Sequence, residues 1–211
     1  MMKSFKLIIF LLIVLMLSSC FGISANIVLN QNGSGSINLE YQISKSLDSI
    51  GRLDGNQRWN TIPVGRSDFE RTLSRLQDIR LLSFSDREDE NNIYFYVRLE
   101  FSNMQGLLSF LDAYGQLSIY SEINTTKSLT LILSPGSEIS NPLLLHLLSD
   151  ISYGYYINIE MNFPGEGSLT VNDGLGNIIK PLSRGRNLSA SIPLFDVLSS
   201  SNGINLEFNW Q

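Results

Sequence analysis

The sequence holds one cysteine and one histidine in 211 residues. A single thiol forms no intramolecular disulfide, so the fold rests on packing. Zinc sites built from several cysteines or histidines are excluded, and any Ser-His-Asp triad has to use His146. Cations are outnumbered, with 15 Lys and Arg against 20 Asp and Glu. That balance argues against nucleic acid, which selects basic surfaces, and against general attraction to anionic head groups. One long apolar run occurs, at the start, and no second is long enough to span a bilayer.

The cysteine stands just after that run. Lys3 and Lys6 precede an apolar core from Leu7 to Leu17, and Ser18 and Ser19 lead into Cys20. This is the layout of a secretory signal, and a spanning helix needs about 20 apolar residues where this run is shorter. "LSSC" also matches the bacterial lipobox, in which the cysteine sulfur takes a diacylglycerol and the chain is cut before it. Residues 1–19 are therefore expected to be a lipoprotein signal peptide, 20–25 a lipidated tether, and 26–211 the exported domain. No cofactor is expected beyond the covalent diacylglycerol, and a further N-acyl chain, on Cys20. Two or three acyl chains hold a protein on a membrane where one does not. Losing Lys3 and Lys6 leaves 13 of the 15 cations against 20 anions, a charge of −7.

Alternation predicts strands. Ile37, Leu39, Tyr41 and Ile43 alternate with polar residues after a Gly/Asn turn, the period of a half-buried strand. Residues 67–82 read as a helix, with Ser67 and Glu70 as a capping box and Phe69, Leu73 and Leu76 as its stripe. A hairpin around "DREDENN" follows, with Ile93, Phe95, Val97, Leu99 and Phe101 on one face. The next helix takes Ser102 or Asn103 as cap and Gly115 as its stop. "QLSIYSEIN" and "SLTLILS" read as a strand pair, and Asn141 with Pro142 opens a leucine-rich helix. Tyr155, Ile157, Ile159, Met161 and Phe163 then share one side of a strand. Short strands at "GSLTVND", "NLSASIPL" and "INLEFNW" close the chain. The pattern predicts an α+β fold, mainly antiparallel sheet with about three helices packed on one side. The tail, 164–211, is either a small β subdomain or the far side of one domain.

Catalytic signals are lacking. His146 lies in "LLLHLL" without a G-x-S-x-G serine, and a packed or interfacial histidine is the expectation there. Asp86, Glu88, Asp89 and Glu90 lack calcium-loop spacing and read as a charged turn. "GEG" and "GLG" lack the setting of a nucleotide loop. No enzyme and no metal site are expected. Two features invite a ligand. Leu143 to Ile151 is apolar nearly all round, so it is either a core helix or a lipid-facing one. "KPLSRGR" reads as a basic loop, solvated or suited to phosphate. Leu144, Leu145, Leu148, Lys180, Arg184 and Arg186 are thus candidate amphiphile-binding residues.

In order along the chain, "ANIVLNQNGSGSINLEYQIS", "IYFYVRLEFSNMQGLLSFL", "INIEMNFPGEGSLTVNDG" and "INLEFNW" resemble the LppM-like family of bacterial envelope lipoproteins, over nearly all of 25–211. The resemblance implies an α+β envelope protein, no cofactor, and binding of lipid or glycolipid in an apolar cavity. Family members often carry a C-terminal membrane helix. None precedes Gln211, so the acyl group on Cys20 is expected to be the sole anchor. The expected partners are the membrane, a lipid or glycolipid ligand, or an envelope protein, with no nucleic acid. The alternative to amphiphile binding is a protein-interaction module with a solid core and an exposed aromatic patch, drawing on Trp59 and Tyr155 or Tyr156. A carboxylate hydrolase is a third reading. Phe21, where an aspartate would favour inner-membrane retention, favours the outer membrane if the cell has two.

Overall fold

In strands whose side chains alternate, registers of equal parity gather every apolar residue on one face. This happens across β-strand pairs at the centre of the sheet in the computed structural model, which describes residues 22–45, 65–112, 118–134, 146, 150 and 152–211. Ile27 lies opposite Ile37 on one side and Met161 on the other, and Ile37 lies opposite Leu99. All four are fully buried. One residue along, Asn26, Asn38, Arg98 and Glu160 form the outward row.

The strands are β1 (Ile23–Leu29), β2 (Gly35–Ser44), β3 (Ile79–Glu88), β4 (Asn92–Phe101), β5 (Ser118–Ile123), β6 (Thr126–Leu133), β7 (Tyr156–Asp173), β8 (Ile178–Pro193) and β9 (Ile204–Trp210). Among the described residues they form one curled sheet in the order β3-β4-β2-β1-β7-β9-β6-β5, with β8 on β7. Only the β1–β7 pair among them is parallel. The expected α+β, mainly antiparallel class is what the chain adopts.

The β7–β8 ribbon shapes the rest. Its first half pairs with β1 and its second half with β9. Between them the register jumps from Asn162/Asn187 to Gly167/Gly185, five steps on β7 for two on β8. A mismatch of this kind bends a strand, and Gly185 takes φ +148 there, a conformation open to glycine. The bend is sharp. The Lys180 ammonium donates to the carbonyl of Ser191, eleven residues along the same strand, which a straight strand would put roughly 36 Å away. The ribbon therefore folds back at the bulge. A short helix, Leu194–Ser199, and one turn then suffice to join Pro193 to Ile204, which sits opposite Asp173. The tail is continuous with the rest of the sheet, since β7 runs unbroken from Tyr156 to Asp173, and Phe163 packs on Phe208 and Trp210 at 6.0 and 4.9 Å.

Three helices are described: α1 (Arg66–Leu73), α2 (Met104–Leu111) and α3 (Leu194–Ser199). The capping box expected at Ser67 and Glu70 does not form. The cap lies two residues earlier, on an extended Gly65 with no side-chain cap, and Glu70 pairs with Arg66 at 3.5 Å. The helix is also shorter than expected: it ends at Leu73, Asp78 turns left-handed (φ 63), and residues 79–82 belong to β3. Phe69 and Leu73 are buried, and Phe69 meets Tyr41 and Phe84, so α1 lies on the apolar face. Asn103 caps α2 as expected, accepting from the Gly106 amide at 2.9 Å. Gly106 lies so close to the chain that an added Cβ would stand 2.4 Å from the Asp78 carbonyl. Gly115 lies outside the described residues.

Phe208→Ala removes a fully buried ring and is expected to cost about 3–5 kcal/mol in urea unfolding. Asn209→Ala, facing outward beside it, is expected to stay within about 0.5 kcal/mol.

Candidate functional site

The turn joining β7 to β8 is built by its own sequence, Asp173-Gly-Leu-Gly-Asn177. The Asp173 carboxylate accepts from the amides of Leu175 and Asn177 and from the Asn177 side chain, at 3.0, 2.8 and 2.8 Å. Aspartate closes turns in this way, and Gly176 supplies the positive φ of 89. These bonds, the Asn177 side chain foremost, hold the Asp173 carboxyl below its ordinary value. The Gly174 amide donates to the carbonyl of Gly203 at 2.9 Å. A Cβ on Gly174 would fall 2.0 Å from the Asn202 carbonyl, so the turn is pinned to the α3–β9 connection.

This pinned arm carries aliphatic side chains into solvent. Leu175, Ile178, Ile179 and Leu182 are 73, 70, 48 and 51% exposed. Single exposed leucines are ordinary, but four within eight residues make the ribbon end apolar on both of its sides. The sequence held a signal for it that the moving period hid. Ile178 and Ile179 are consecutive on a strand, so their side chains leave on opposite sides and one of them has to face out.

The candidate cations stand on the same strand. The segment 180–186 read as a loop is in fact β8. Its extended course puts Lys180 about 13 Å from Arg184. Lys180 is half-buried and tied to Ser191 near the tip end, while Arg184 and Arg186 flank Gly185 at the bulge. Arg184 and Arg186 are exposed and make no ion pair among the described residues. The three cations therefore do not converge. Cys20, Leu144, Leu145, Leu148 and Trp59 lie outside the described residues.

Of the two expected settings, packed and interfacial, His146 does not take the packed one: its side chain is 80% exposed and its Nδ1 lies 3.3 Å from Asp150. The acidic run closes a hairpin over a shorter turn than read, since Asp86 and Glu88 lie in β3 and Asn92 opens β4: Asp89 accepts from the amides of Asn91 and Asn92 and from the Tyr94 hydroxyl at 2.7 Å. The Tyr94 bond is the main cause of a lowered Asp89 carboxyl and of a raised Tyr94 hydroxyl. Among the described residues no His, Cys, Asp or Glu cluster could hold a metal. A notch at the bulge, lined by Gln31, Lys127, Pro164, Gly165, Trp210 and Gln211, measures about 190 Å³, below the 300–1,000 Å³ or so of ligand pockets. No described helix is long and apolar enough to cross a membrane. Comparison with protein-family models, curated proteins and solved structures gave no match.

A depressed carboxyl binds its proton less tightly folded than unfolded. The stability it lends is full above the unfolded value of 3.8 and fades as pH falls through the lower folded value. Asp173→Ala is accordingly expected to speed amide exchange at Leu175 and Asn177 several-fold at neutral pH. In the unsubstituted protein the same loosening should appear only below the ordinary aspartate range.

Proposed function

We propose that the protein is a lipid-anchored envelope protein, held by acyl chains on Cys20, whose domain binds an amphiphile of the envelope without catalysing a reaction. The observation that carries this reading is the aliphatic arm of Leu175, Ile178, Ile179 and Leu182, fixed in solvent by the Asp173 turn. Burying apolar surface is worth about 25 cal/mol per Å², so an arm held open in water favours an apolar ligand. The signal layout around Cys20 and the resemblance to LppM-like lipoproteins point the same way. The contact is with the surface of the arm, where an acyl chain lies along the strand and Arg184 stands within reach of an acidic head group.

A second reading, a protein-interaction module of the envelope, is favoured by Tyr153 and Tyr156, exposed just before and at the start of β7.

Two experiments test the proposal. Metabolic labelling with an alkyne fatty acid is expected to mark the full chain and to fail on Cys20→Ser, which should leave the acylated membrane fraction. The detergent-extracted full chain is expected to retain envelope lipid, read by mass spectrometry of its organic extract. Ile179→Asp combined with Leu182→Asp should lower that lipid several-fold. Equal lipid in both proteins would move the assignment to the protein-interaction module.

A further inference from the structure

The position of the arm relative to the start of the chain carries one further step, which rests on the reading of Cys20 as the lipidated residue. Ser24 lies opposite Asn158, and Asn158 opposite Ser191. Two strand spacings, about 10 Å, therefore separate Ser24 from Ser191. The Lys180 ammonium reaches the Ser191 carbonyl from the folded-back half of the ribbon. Lys180 and Ser191 stand five and six residues from Gly185, so the two halves run level away from the bulge. The tip, Leu175 to Ile179, continues past Lys180 on the side away from the bulge. β1 starts at that same end, since Ile23 pairs with Ile157 and Val28 with Asn162, next to the bulge. Cys20 precedes Ser24 by four residues, at most about 14 Å of extended chain. The lipid attachment point and the aliphatic tip thus share one end of the molecule.

We infer that the β7–β8 tip is a second membrane contact, seated in the same bilayer that holds the acyl chains, so that the domain stands with its Ile23 end against the membrane. Tyr153 and Tyr156 lie at this end as well, and tyrosine suits the boundary between lipid and water. Charge does not drive the contact. The acidic turn of Glu88, Asp89 and Glu90 projects from the same end, beyond the Tyr41–Phe95 row, while Arg184 and Arg186 lie toward the bulge. The tip enters lipid through its aliphatic side chains, in neutral and anionic bilayers alike. The contact is intramolecular once the anchor is in place, at an effective concentration on the order of millimolar, so a weak insertion suffices.

The test uses the full lipidated chain. With Cys20 capped by its thioether, Ile179→Cys supplies the single free thiol for an NBD label, and Gln31→Cys labels the opposite, bulge end. Both proteins are placed in phosphatidylcholine vesicles containing a doxyl-labelled lipid. The position 179 probe is expected to shift to the blue and be quenched several-fold more than the position 31 probe. Adding Ile178→Asp should lower its quenching to the position 31 level while the protein still floats with the vesicles. A floating protein with both probes unquenched overturns the inference and leaves the anchor intact. A protein that does not float and carries no adduct on Cys20 overturns the anchor reading and this inference with it. A position 179 probe shielded only by added envelope proteins overturns it in favour of a protein partner.

Discussion

Between Asn162 and Gly167 the long ribbon takes five steps on β7 for two on β8, and the arrangement of the other strands hangs on that mismatch. A nine-stranded sheet with one apolar face has to cover that face with a second layer. The described helices are six to eight residues long, too short to cover it alone. Folding the ribbon back lets the sheet cover itself. Met161 on one half and Leu169 on the other then belong to a single core with Ile27, Leu129 and Phe208. β1 and β9 take successive stretches of the same β7 edge, one on each side of the bend.

The outward face is held by amides more than by charges. Asn162 bonds Asn26, Asn187 bonds Glu160, and Asn172 bonds both Glu207 and Asn205. Ion pairs such as Lys45–Glu88 and Arg66–Glu70 are exposed and of small energetic weight. Among the described residues no buried side-chain polar atom lacks a partner. Register thus comes mainly from the apolar side, and the outward amides match it rather than set it.

How much of this the sequence disclosed follows from the range of each interaction. Ile93 to Phe101 and Ile204 to Trp210 alternate without a break, and each of those positions is buried as read. Asn103 acts within four residues, and it too was legible. The helix at Phe69 is shorter than its pattern suggests because the stripe reaches Leu76, beyond the Ser74 cap, and the left-handed turn at Asp78 is a backbone state that residue pattern does not display. Strand order and the fold-back depend on pairs such as Ile23 with Ile157, which no local period encodes. For the site, a rich leucine run drew attention to 143–151 and a cluster of cations to 180–186. The aliphatic arm is hard to see in the sequence because its four residues are split by a glycine, an asparagine, a lysine and a proline. Its exposure arises from the Asp173 turn and the Gly203 contact, which are tertiary.

The first strand ends up in the middle of the sheet, hydrogen-bonded along its length to β2 on one side and β7 on the other. A load applied through the N-terminus would run along β1 and strain both rows of bonds at once, in shear, where an edge strand would peel bond by bond. The chain is therefore gripped on both edges at the point where a membrane tether would pull on it.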